Sequence, residues 1–185
     1  MMKIECPIFK RKIKDHSEFK DSALIAINNQ KARIRANDLD IMSDYDIDRD
    51  VPRPYLDFVE DRIYDTLTEF TREMKGAFFQ GFEVRTFFYQ QYTKDQYHSW
   101  HCHDCQFSGV YYLDMPSGTP KTEYRDPFTD DVHELDVEEG DVVAFPSFLI
   151  HRAPPNMIDI PKTIISFNFN FWNKDQPCQY TRLNS

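Results

Sequence analysis

The residue pattern of this 185-residue chain changes at Gly81, and the change limits the folds that the chain can adopt. From that point on, short runs rich in Phe, Tyr, Val and Ile alternate with Gly, Pro and Asp. Runs of this length and spacing predict antiparallel strands that pack as a sandwich or a barrel. The predicted strands are 82–92, 97–103, 107–114, 121–126, 133–137, 141–146 and 163–173.

The last of these strands alternates most clearly between apolar and polar residues. Successive side chains of a strand point to opposite faces, so the alternation defines two faces. One predicted face carries Ile165, Phe167, Phe169 and Phe171, and the other carries Ser166, Asn168 and Asn170. A polar strand face points to solvent, or, in a barrel, lines a binding cavity.

The first 81 residues predict supporting helices. Apolar residues three or four positions apart predict a helix over 54–75, with Gly76 as its C-terminal cap. A shorter helix is predicted around Phe19 and Ile27, with Ser17 as its N-cap. The predicted fold class is therefore mainly β with N-terminal helices (α+β). The chain is predicted to form one domain, with an extension and helices over 1–81, a β core over 82–173 and a tail over 174–185.

Composition narrows the classes of function. Lys and Arg number 22 against 31 Asp and Glu, so the formal net charge is −9, which argues against nucleic acid as an electrostatic partner. No apolar stretch approaches the roughly 20 residues that span a bilayer, and the N-terminus lacks the pattern of a signal peptide. Cys6, Cys102, Cys105 and Cys178 are too unevenly placed for a disulfide framework, which predicts a reducing, cytoplasmic location.

An acidic run in the N-terminal part raises the possibility of a calcium loop. Asp44, Asp46, Asp48 and Asp50 alternate with other residues. A calcium loop that starts at Asp44 needs Gly at its sixth position and Glu at its twelfth, and this chain has Arg49 and Tyr55 there. The run is therefore predicted to be a solvated acidic connector.

Three histidines form the main candidate site. His101 and His103 lie two residues apart on a predicted strand, so their imidazoles are expected to point to the same side. His151 comes much later and follows another predicted strand. Three ligands from two strands form a facial set that leaves open positions on a metal, as redox iron requires for oxygen chemistry.

The remaining candidates receive simpler interpretations. Cys102 and Cys105 form a C-x-x-C pair, but a zinc site needs a second pair, and Cys102 is expected to pack in the sheet facing away from the metal. A local metal clip of these residues stays a minor alternative. His98 and Trp100 are expected at a substrate groove or at an ordinary strand edge, whereas His16 and His133 are expected to be solvated.

The same segments resemble the Fe(II)/2-oxoglutarate-dependent oxygenases, in particular the small prolyl-hydroxylase-like group of bacteria and phages. The resemblance covers roughly 82–173. Its most specific part is His151 followed eleven residues later by Lys162. The other matching residues are Tyr92, Tyr97, His101-Cys102-His103, Ser108-Gly109-Val110-Tyr111-Tyr112-Leu113, the run 139–147 and Ile165-Ser166-Phe167-Asn168-Phe169.

The resemblance implies a double-stranded β-helix (jelly roll) and an oxidoreductase site. Fe(II) would bind His101, His103 and His151, and 2-oxoglutarate would chelate the iron and leave one position for O2. Lys162 would pair with the distal carboxylate of 2-oxoglutarate, and the further co-substrate contacts would be Ser166, Tyr92, Tyr112 and Asn168. The implied reaction hydroxylates a C–H bond of a peptidyl or small-molecule substrate and releases succinate and CO2.

One position departs from the pattern of the family. The usual first pair is His-x-Asp or His-x-Glu, whereas this chain has His103, and Asp104 is the alternative ligand if the strand bulges. A neutral imidazole in place of a carboxylate raises the charge of the iron site by one. Two other hypotheses therefore stay open: a three-His cupin-type dioxygenase that does not use 2-oxoglutarate, and a non-enzymatic jelly-roll binding module.

Overall fold

A computed structural model describes residues 7–30, 34–36, 41–48, 50–74 and 79–173. The two helices are α1 (His16–Asn29) and α2 (Leu56–Glu73). The strands are β1 (Phe9–Lys12), β2 (Ile34–Ala36), β3 (Ile41–Ser43), β4 (Gly81–Tyr92), β5 (His98–His101), β6 (Phe107–Asp114), β7 (Glu123–Arg125), β8 (Val132–Glu134), β9 (Asp141–Pro146), β10 (His151–Ala153) and β11 (Lys162–Trp172).

These strands form two antiparallel sheets. The larger sheet has the order β1-β9-β6-β11-β4-β3-β2, and the smaller has the order β5-β10-β7-β8. From β4 to β11, nearly every connection crosses from one sheet to the other. This alternation between facing sheets is the double-stranded β-helix, so the predicted fold class is confirmed.

The alternation along β11 separates two apolar clusters on opposite faces of the larger sheet. Ile165, Phe167, Phe169 and Phe171 pack with buried residues of α1 and α2, among them Ala23, Ile27, Ile63 and Leu67. Ile164 faces the other way and packs with Tyr92, Tyr112 and Phe145 between the two sheets. The helices therefore cover the outer face of the sheet and leave its inner face to line a cavity.

The helices begin and end close to the predicted positions. Helix α2 lies within the predicted range 54–75, with Tyr55 and Met74 as its caps, so the predicted helix is confirmed and is shorter by about one turn. Helix α1 begins at His16, so Ser17 lies inside the helix and the predicted N-cap is wrong; Asp15 precedes the helix without a side-chain cap. Neither described helix has the length and apolar character needed to cross a membrane.

Several predicted features lie outside the described residues: Gly76, Cys6, Cys178 and the tail over 174–185. The single-domain boundaries stay a prediction. Strands β1 and β3 of the first 81 residues pair with β9 and β4, so this region supplies strands of the larger sheet as well as helices. Strand β1 could not be predicted from the sequence, because only Phe9 of its four residues is buried and no alternation results.

The acidic connector is corrected at one position. Asp44 is fully buried, whereas Asp46 and Asp48 are exposed as predicted. The Asp44 carboxylate accepts hydrogen bonds from the Tyr55 hydroxyl (2.8 Å) and from the backbone N–H of Tyr89 (2.8 Å). Burial raises the pKa of Asp44 despite these contacts. The sequence of this acidic run does not reveal that the Asp44 side chain reaches the backbone of β4.

The close approach of β6 and β11 depends on a residue without a side chain. Gly109 pairs with Phe167, and a Cβ atom at Gly109 would overlap the Phe167 ring. We expect Gly109→Ala to lower the free energy of unfolding by about 1–3 kcal/mol, because the added methyl overpacks a fully ordered core. Urea denaturation monitored by circular dichroism measures this change. Ser117→Ala, in an exposed turn, is the control and should change stability by less than about 0.5 kcal/mol.

Candidate metal centre

Three imidazoles converge between the two sheets. His101 ends β5 and lies directly opposite His151, which begins β10. The ring centroids are 4.3 Å apart for His101 and His151, 5.0 Å for His101 and His103, and 5.2 Å for His103 and His151. One nitrogen from each ring lies within 4.8 Å of the other two. A separation of this size allows all three nitrogens to bind one ion between them.

His103 reaches this point through a turn and not through strand alternation. Strand β5 spans His98–His101, so the predicted strand over 97–103 extends two residues too far at its C-terminal end. The backbone N–H of His103 donates to the Ser147 carbonyl (3.1 Å), and the backbone N–H of Ser147 donates to the Gln106 carbonyl (3.0 Å). Ser147 therefore ties the turn that carries His103 to the turn that precedes His151.

The neighbours of His103 do not join the cluster. Asp104 and Cys102 are exposed, so the prediction that Cys102 packs in the sheet is wrong. Cys105 lies 2.8 Å from the Ser147 hydroxyl, and its thiol donates to the Phe107 carbonyl at 3.2 Å. Within the described residues, the metal-binding group contains neither cysteine, and a zinc clip at C-x-x-C has no geometric support.

Hydrogen bonds orient two of the three rings for a metal. His101 Nδ1 donates to the Ser99 carbonyl (2.7 Å), and His151 Nδ1 donates to the Leu149 carbonyl (2.8 Å). This tautomer leaves the Nε2 lone pair of each ring available. Burial lowers the pKa of His151 to about 3 and that of His103 to about 4, with the other histidines adding to the shift. The neutral rings are the form that binds a divalent metal.

A cavity between the sheets opens onto these rings. Its wall includes Tyr92, Ser166 and Asn168, three of the predicted co-substrate contacts. The Ser166 hydroxyl donates to Gln90 Oε1 (3.1 Å), and Asn168 Nδ2 donates to the Thr86 hydroxyl (3.1 Å). The polar face of β11 therefore lines a cavity instead of facing solvent, because the smaller sheet covers it.

Lys162 and Tyr112 lie behind this wall. Lys162 is opposite Tyr92 in the β4–β11 ladder, and only 1% of its surface is exposed. Its Nζ donates to the Pro120 carbonyl (2.6 Å) and lies 5.7 Å from the centre of the Tyr112 ring. The Tyr112 hydroxyl donates to Thr122, which lines the cavity.

Burial lowers the pKa of Lys162 from 10.5 to about 8, and no charged group among the described residues offsets this effect. A buried ammonium group without a carboxylate partner is unfavourable in the free protein, since desolvation penalises its charge. A buried cation therefore lies behind the cavity wall, and an anionic ligand that reached it would stabilise its charge.

The sequence left His98 between a substrate groove and an ordinary strand edge, and the structure places it on the cavity wall. The ring of His98 stacks on His101 with centroids 3.9 Å apart and an interplanar angle of 17°, and it lines the same cavity. Residues three apart on a regular strand point to opposite faces. A register shift in the β5–β10 pair, where His101 faces His151 and His98 faces Ala153, places both rings on the cavity side.

The other two histidines lie outside the cavity wall. His133 is exposed on β8, as predicted. His16 is not solvated: its Nδ1 lies 2.6 Å from the Tyr111 hydroxyl and its Nε2 lies 3.3 Å from Glu139. The prediction for His16 is wrong because α1 packs this first-turn residue against the larger sheet.

Comparison with known proteins places the fold. No family model and no curated protein matches the sequence. A prolyl-4-hydroxylase from Pseudomonas putida superposes with a TM-score of 0.62 over 90% of this chain and 93% of its own, at 11% sequence identity. This chain has the fold of the 2-oxoglutarate–Fe(II) oxygenases. At this identity the likeness concerns the fold alone.

Two further structures with the oxygenase fold agree with this placement. HygX from Streptomyces hygroscopicus, solved with nickel and 2-oxoglutarate bound, superposes with a TM-score of 0.58 over 89% of this chain and 82% of its own, at 12% identity. A 2OG-Fe(II) oxygenase from Burkholderia pseudomallei has a TM-score of 0.53 at 16% identity, with 64% of this chain matched. The match spans 56% of the length of that protein.

Proposed function

We propose that the protein is an Fe(II)- and 2-oxoglutarate-dependent dioxygenase that hydroxylates a C–H bond of a peptidyl or small-molecule substrate and releases succinate and CO2. The observation that carries the proposal is the pairing of two features in one interior. Three neutral imidazoles converge there, and the buried Lys162 amine behind them has no carboxylate partner among the described residues. A metal alone needs only the imidazoles. A buried amine is stabilised in its charged form by an anion, and 2-oxoglutarate has a carboxylate at each end.

Each residue has a physical role in this proposal. His101, His103 and His151 would hold Fe(II), and Lys162, with Tyr92 and Tyr112 beside it, would hold the distal carboxylate of 2-oxoglutarate. When bound, Fe(II) would activate O2, which is the oxidant of the reaction: one oxygen atom would enter the alcohol formed at the substrate C–H bond and the other would enter succinate, as 2-oxoglutarate is oxidised and loses CO2. Ser166 and Asn168 would contact the co-substrate or substrate from the polar face of β11.

The interior walls support chemistry that excludes water. Phe88, Val110, Phe145 and Ile164 surround the histidines with apolar surface. Apolar surface lowers the local dielectric, which would strengthen the attraction between Lys162 and a carboxylate and would limit the access of water to an oxidising site. The chain therefore contributes binding, orientation and exclusion of water.

The proposal has a direct test. Anaerobic calorimetry with Mn(II) in place of Fe(II) should show one metal site and metal-dependent binding of 2-oxoglutarate. Addition of Fe(II) and O2 should then produce succinate from 2-oxoglutarate, and an added substrate should raise the rate. Failure of the purified protein to bind both metal and 2-oxoglutarate at millimolar concentration would rule the proposal out.

The second candidate is a three-His dioxygenase that does not use 2-oxoglutarate. Two observations favour it: all three candidate ligands are neutral, and the Lys162 amine already donates to the Pro120 carbonyl. Under this alternative the protein binds metal and oxidises a substrate without forming succinate. A protein with no stoichiometric metal, in which His151→Ala changes nothing, would instead be a non-enzymatic binding module.

The choice between His103 and Asp104 as a ligand gives a separate prediction. We expect His103→Ala to weaken Mn(II) binding by about a hundredfold or more, because removing a metal ligand exceeds the 10–100-fold effect of removing its supporting contacts. Asp104→Asn is the matched control and should change the affinity less than about threefold, since an exposed carboxylate is screened by water. Titration followed by electron paramagnetic resonance measures both. The reverse order of effects would assign Asp104 as the ligand.

The primary substrate is proposed only as a class, and the cytoplasmic location and the lack of a nucleic-acid partner stay predictions from composition.

A further inference from the structure

The cavity contains a fourth imidazole that the metal-binding group does not use. His98 stacks on His101, yet the set of nitrogens that lie within 4.8 Å of one another comprises only His101, His103 and His151 within the described residues. His98 is therefore placed beside the candidate ligands and not among them.

The hydrogen bonding of His98 also differs from that of the candidate ligands. His101 and His151 donate from Nδ1 and leave Nε2 as a lone pair. In contrast, Gln90 Nε2 donates to His98 Nδ1 (3.2 Å), so the proton of the neutral His98 ring is on Nε2. His98 thus has an N–H group to donate, which suits an anionic oxygen and not a metal ion.

A chain of hydrogen bonds holds this ring in place. The Ser166 hydroxyl on β11 donates to Gln90 Oε1 on β4, and Gln90 donates to His98 on β5. The chain connects the two sheets across the cavity. Both ends of the Gln90 amide are used, which fixes its orientation and therefore that of His98.

The position of this chain along the ladder indicates what it faces. Lys162 pairs with Tyr92, and the next pair on the same face is Ile164 with Gln90. The Gln90 side chain therefore lies one step along the same sheet face from the backbone position of Lys162, and it contacts His98, whose ring stacks on His101. A dicarboxylate with one end at Lys162 would have its other end near His98.

We propose that His98 binds the metal-proximal carboxylate of the co-substrate through a hydrogen bond, and that Gln90 is the positioning residue that orients it. This inference rests on the proposed function, because it assigns a contact to 2-oxoglutarate. His98 is neither one of the three candidate metal ligands nor the basic residue Lys162, so the inference assigns a further binding residue to the site.

The test uses two ligands to distinguish contacts with the metal-proximal end of the co-substrate from contacts with its distal end. Oxalate chelates a metal with two carboxylates but has no distal arm, whereas 2-oxoglutarate reaches both ends of the site. Affinities of the Mn(II)-loaded protein for each ligand are measured by calorimetry for wild type, His98→Phe and Lys162→Met. Phenylalanine keeps the stacked ring of His98 and removes its nitrogens.

We expect His98→Phe to weaken both oxalate and 2-oxoglutarate binding about tenfold, which corresponds to about 1.4 kcal/mol and agrees with a hydrogen bond to a charged group. Lys162→Met should weaken 2-oxoglutarate alone and leave oxalate within about twofold. Gln90→Leu should weaken oxalate about threefold to fivefold with unchanged Mn(II) affinity, which a general loss of structure would not produce. His98→Gln restores an N–H donor and should recover most of the oxalate affinity.

Two results would overturn the inference. If His98→Phe lowers Mn(II) affinity by a hundredfold, His98 is a metal ligand. If His98→Phe binds Mn(II), oxalate and 2-oxoglutarate as wild type does, the ring has no role in binding. Both differ from failure of the proposed function, in which wild-type protein binds neither Mn(II) nor 2-oxoglutarate.

Discussion

Lys162→Met is expected to weaken 2-oxoglutarate binding by at least about thirtyfold while leaving metal binding unchanged. Removing one partner of a buried charge pair costs about 2–5 kcal/mol, and every 1.4 kcal/mol is a factor of ten in affinity. Methionine has a similar length and no charge, so the site keeps its shape. Calorimetry with Mn(II)-loaded protein measures the affinity, and the Mn(II) titration of the same variant is the internal control.

The same substitution should not destabilise the free protein. The shift of the Lys162 pKa from 10.5 to about 8 corresponds to about 3 kcal/mol against the charged form in the folded state. Methionine removes this penalty, but it leaves the Pro120 carbonyl without its donor, which costs about 1–3 kcal/mol. We therefore expect a stability equal to that of the wild type or up to about 2 kcal/mol higher at neutral pH.

The lowered pKa of Lys162 also predicts how the stability of the protein changes with pH. Because the pKa of Lys162 is lower in the folded state than its ordinary value, the unfolded chain binds more protons between about pH 8 and 10.5. The penalty is complete below pH 8, and it disappears as the pH rises through this interval. The wild type should therefore gain stability relative to Lys162→Met from pH 8 to 10.5, as urea denaturation at each pH would measure.

A contrary result would favour a different function. If Lys162→Met binds 2-oxoglutarate as tightly as the wild type, the amine does not hold the distal carboxylate, and the three-His dioxygenase without 2-oxoglutarate becomes the better hypothesis. A variant several kcal/mol less stable than wild type would mean that the Pro120 contact makes Lys162 structural.

His151→Ala is expected to abolish both metal binding and succinate formation. His151 is 6% exposed, and its ring lies against both His101 and His103, so its removal leaves two imidazoles that no longer form a facial set. We expect Mn(II) affinity to fall at least about a thousandfold. Metal analysis of the purified protein and the succinate assay measure the loss.

Thermal unfolding measures the same loss of metal binding without an activity assay. Ligand at a hundred times its dissociation constant stabilises a protein by about 2.7 kcal/mol, and one kcal/mol shifts the midpoint of a domain of this size by about 2–4 °C. Mn(II) should therefore raise the midpoint of wild type by about 5–10 °C and leave that of His151→Ala unchanged. The matched control is His133→Ala, an exposed histidine on β8, which should respond to Mn(II) as wild type does.

An equal response of wild type and His151→Ala to Mn(II) would mean that the three rings do not form the metal site. In that case the histidines would be incidental features of a jelly-roll module, and the oxygenase proposal would lose its basis.

Parts of the fold and the site could be predicted because they depend on local pattern. The alternation of β11 is repeated over enough residues to define two faces, and the structure places one on the helices and the other on the cavity. The spacing of apolar residues in α2 similarly defines its buried stripe. The sequence predicts His101, His103 and His151 as metal ligands, and the three imidazoles do converge, whereas Lys162 is a candidate only through the family resemblance.

Other features depended on contacts between distant segments. Strand β10 has three residues, too few to show a period, and its position is set by pairing with β5 and β7. His98 faces the cavity because of a bulge in that pairing, and His103 reaches the cluster because Ser147 holds its turn. Asp44 and His16 are buried because other segments pack over them.

Residue identity and short-range periodicity are sufficient to predict the two-faced strands, the amphipathic helix and the chemical types of the candidate site. Contacts between distant segments set the turn that carries His103, the position of His98 beside the candidate ligands, and the burial of Lys162 without a carboxylate among the described residues. The physical reason is that burial, register shifts and ring separations are fixed by which strands pair across the sandwich, and pairing between strands far apart in the chain leaves no local pattern in either strand.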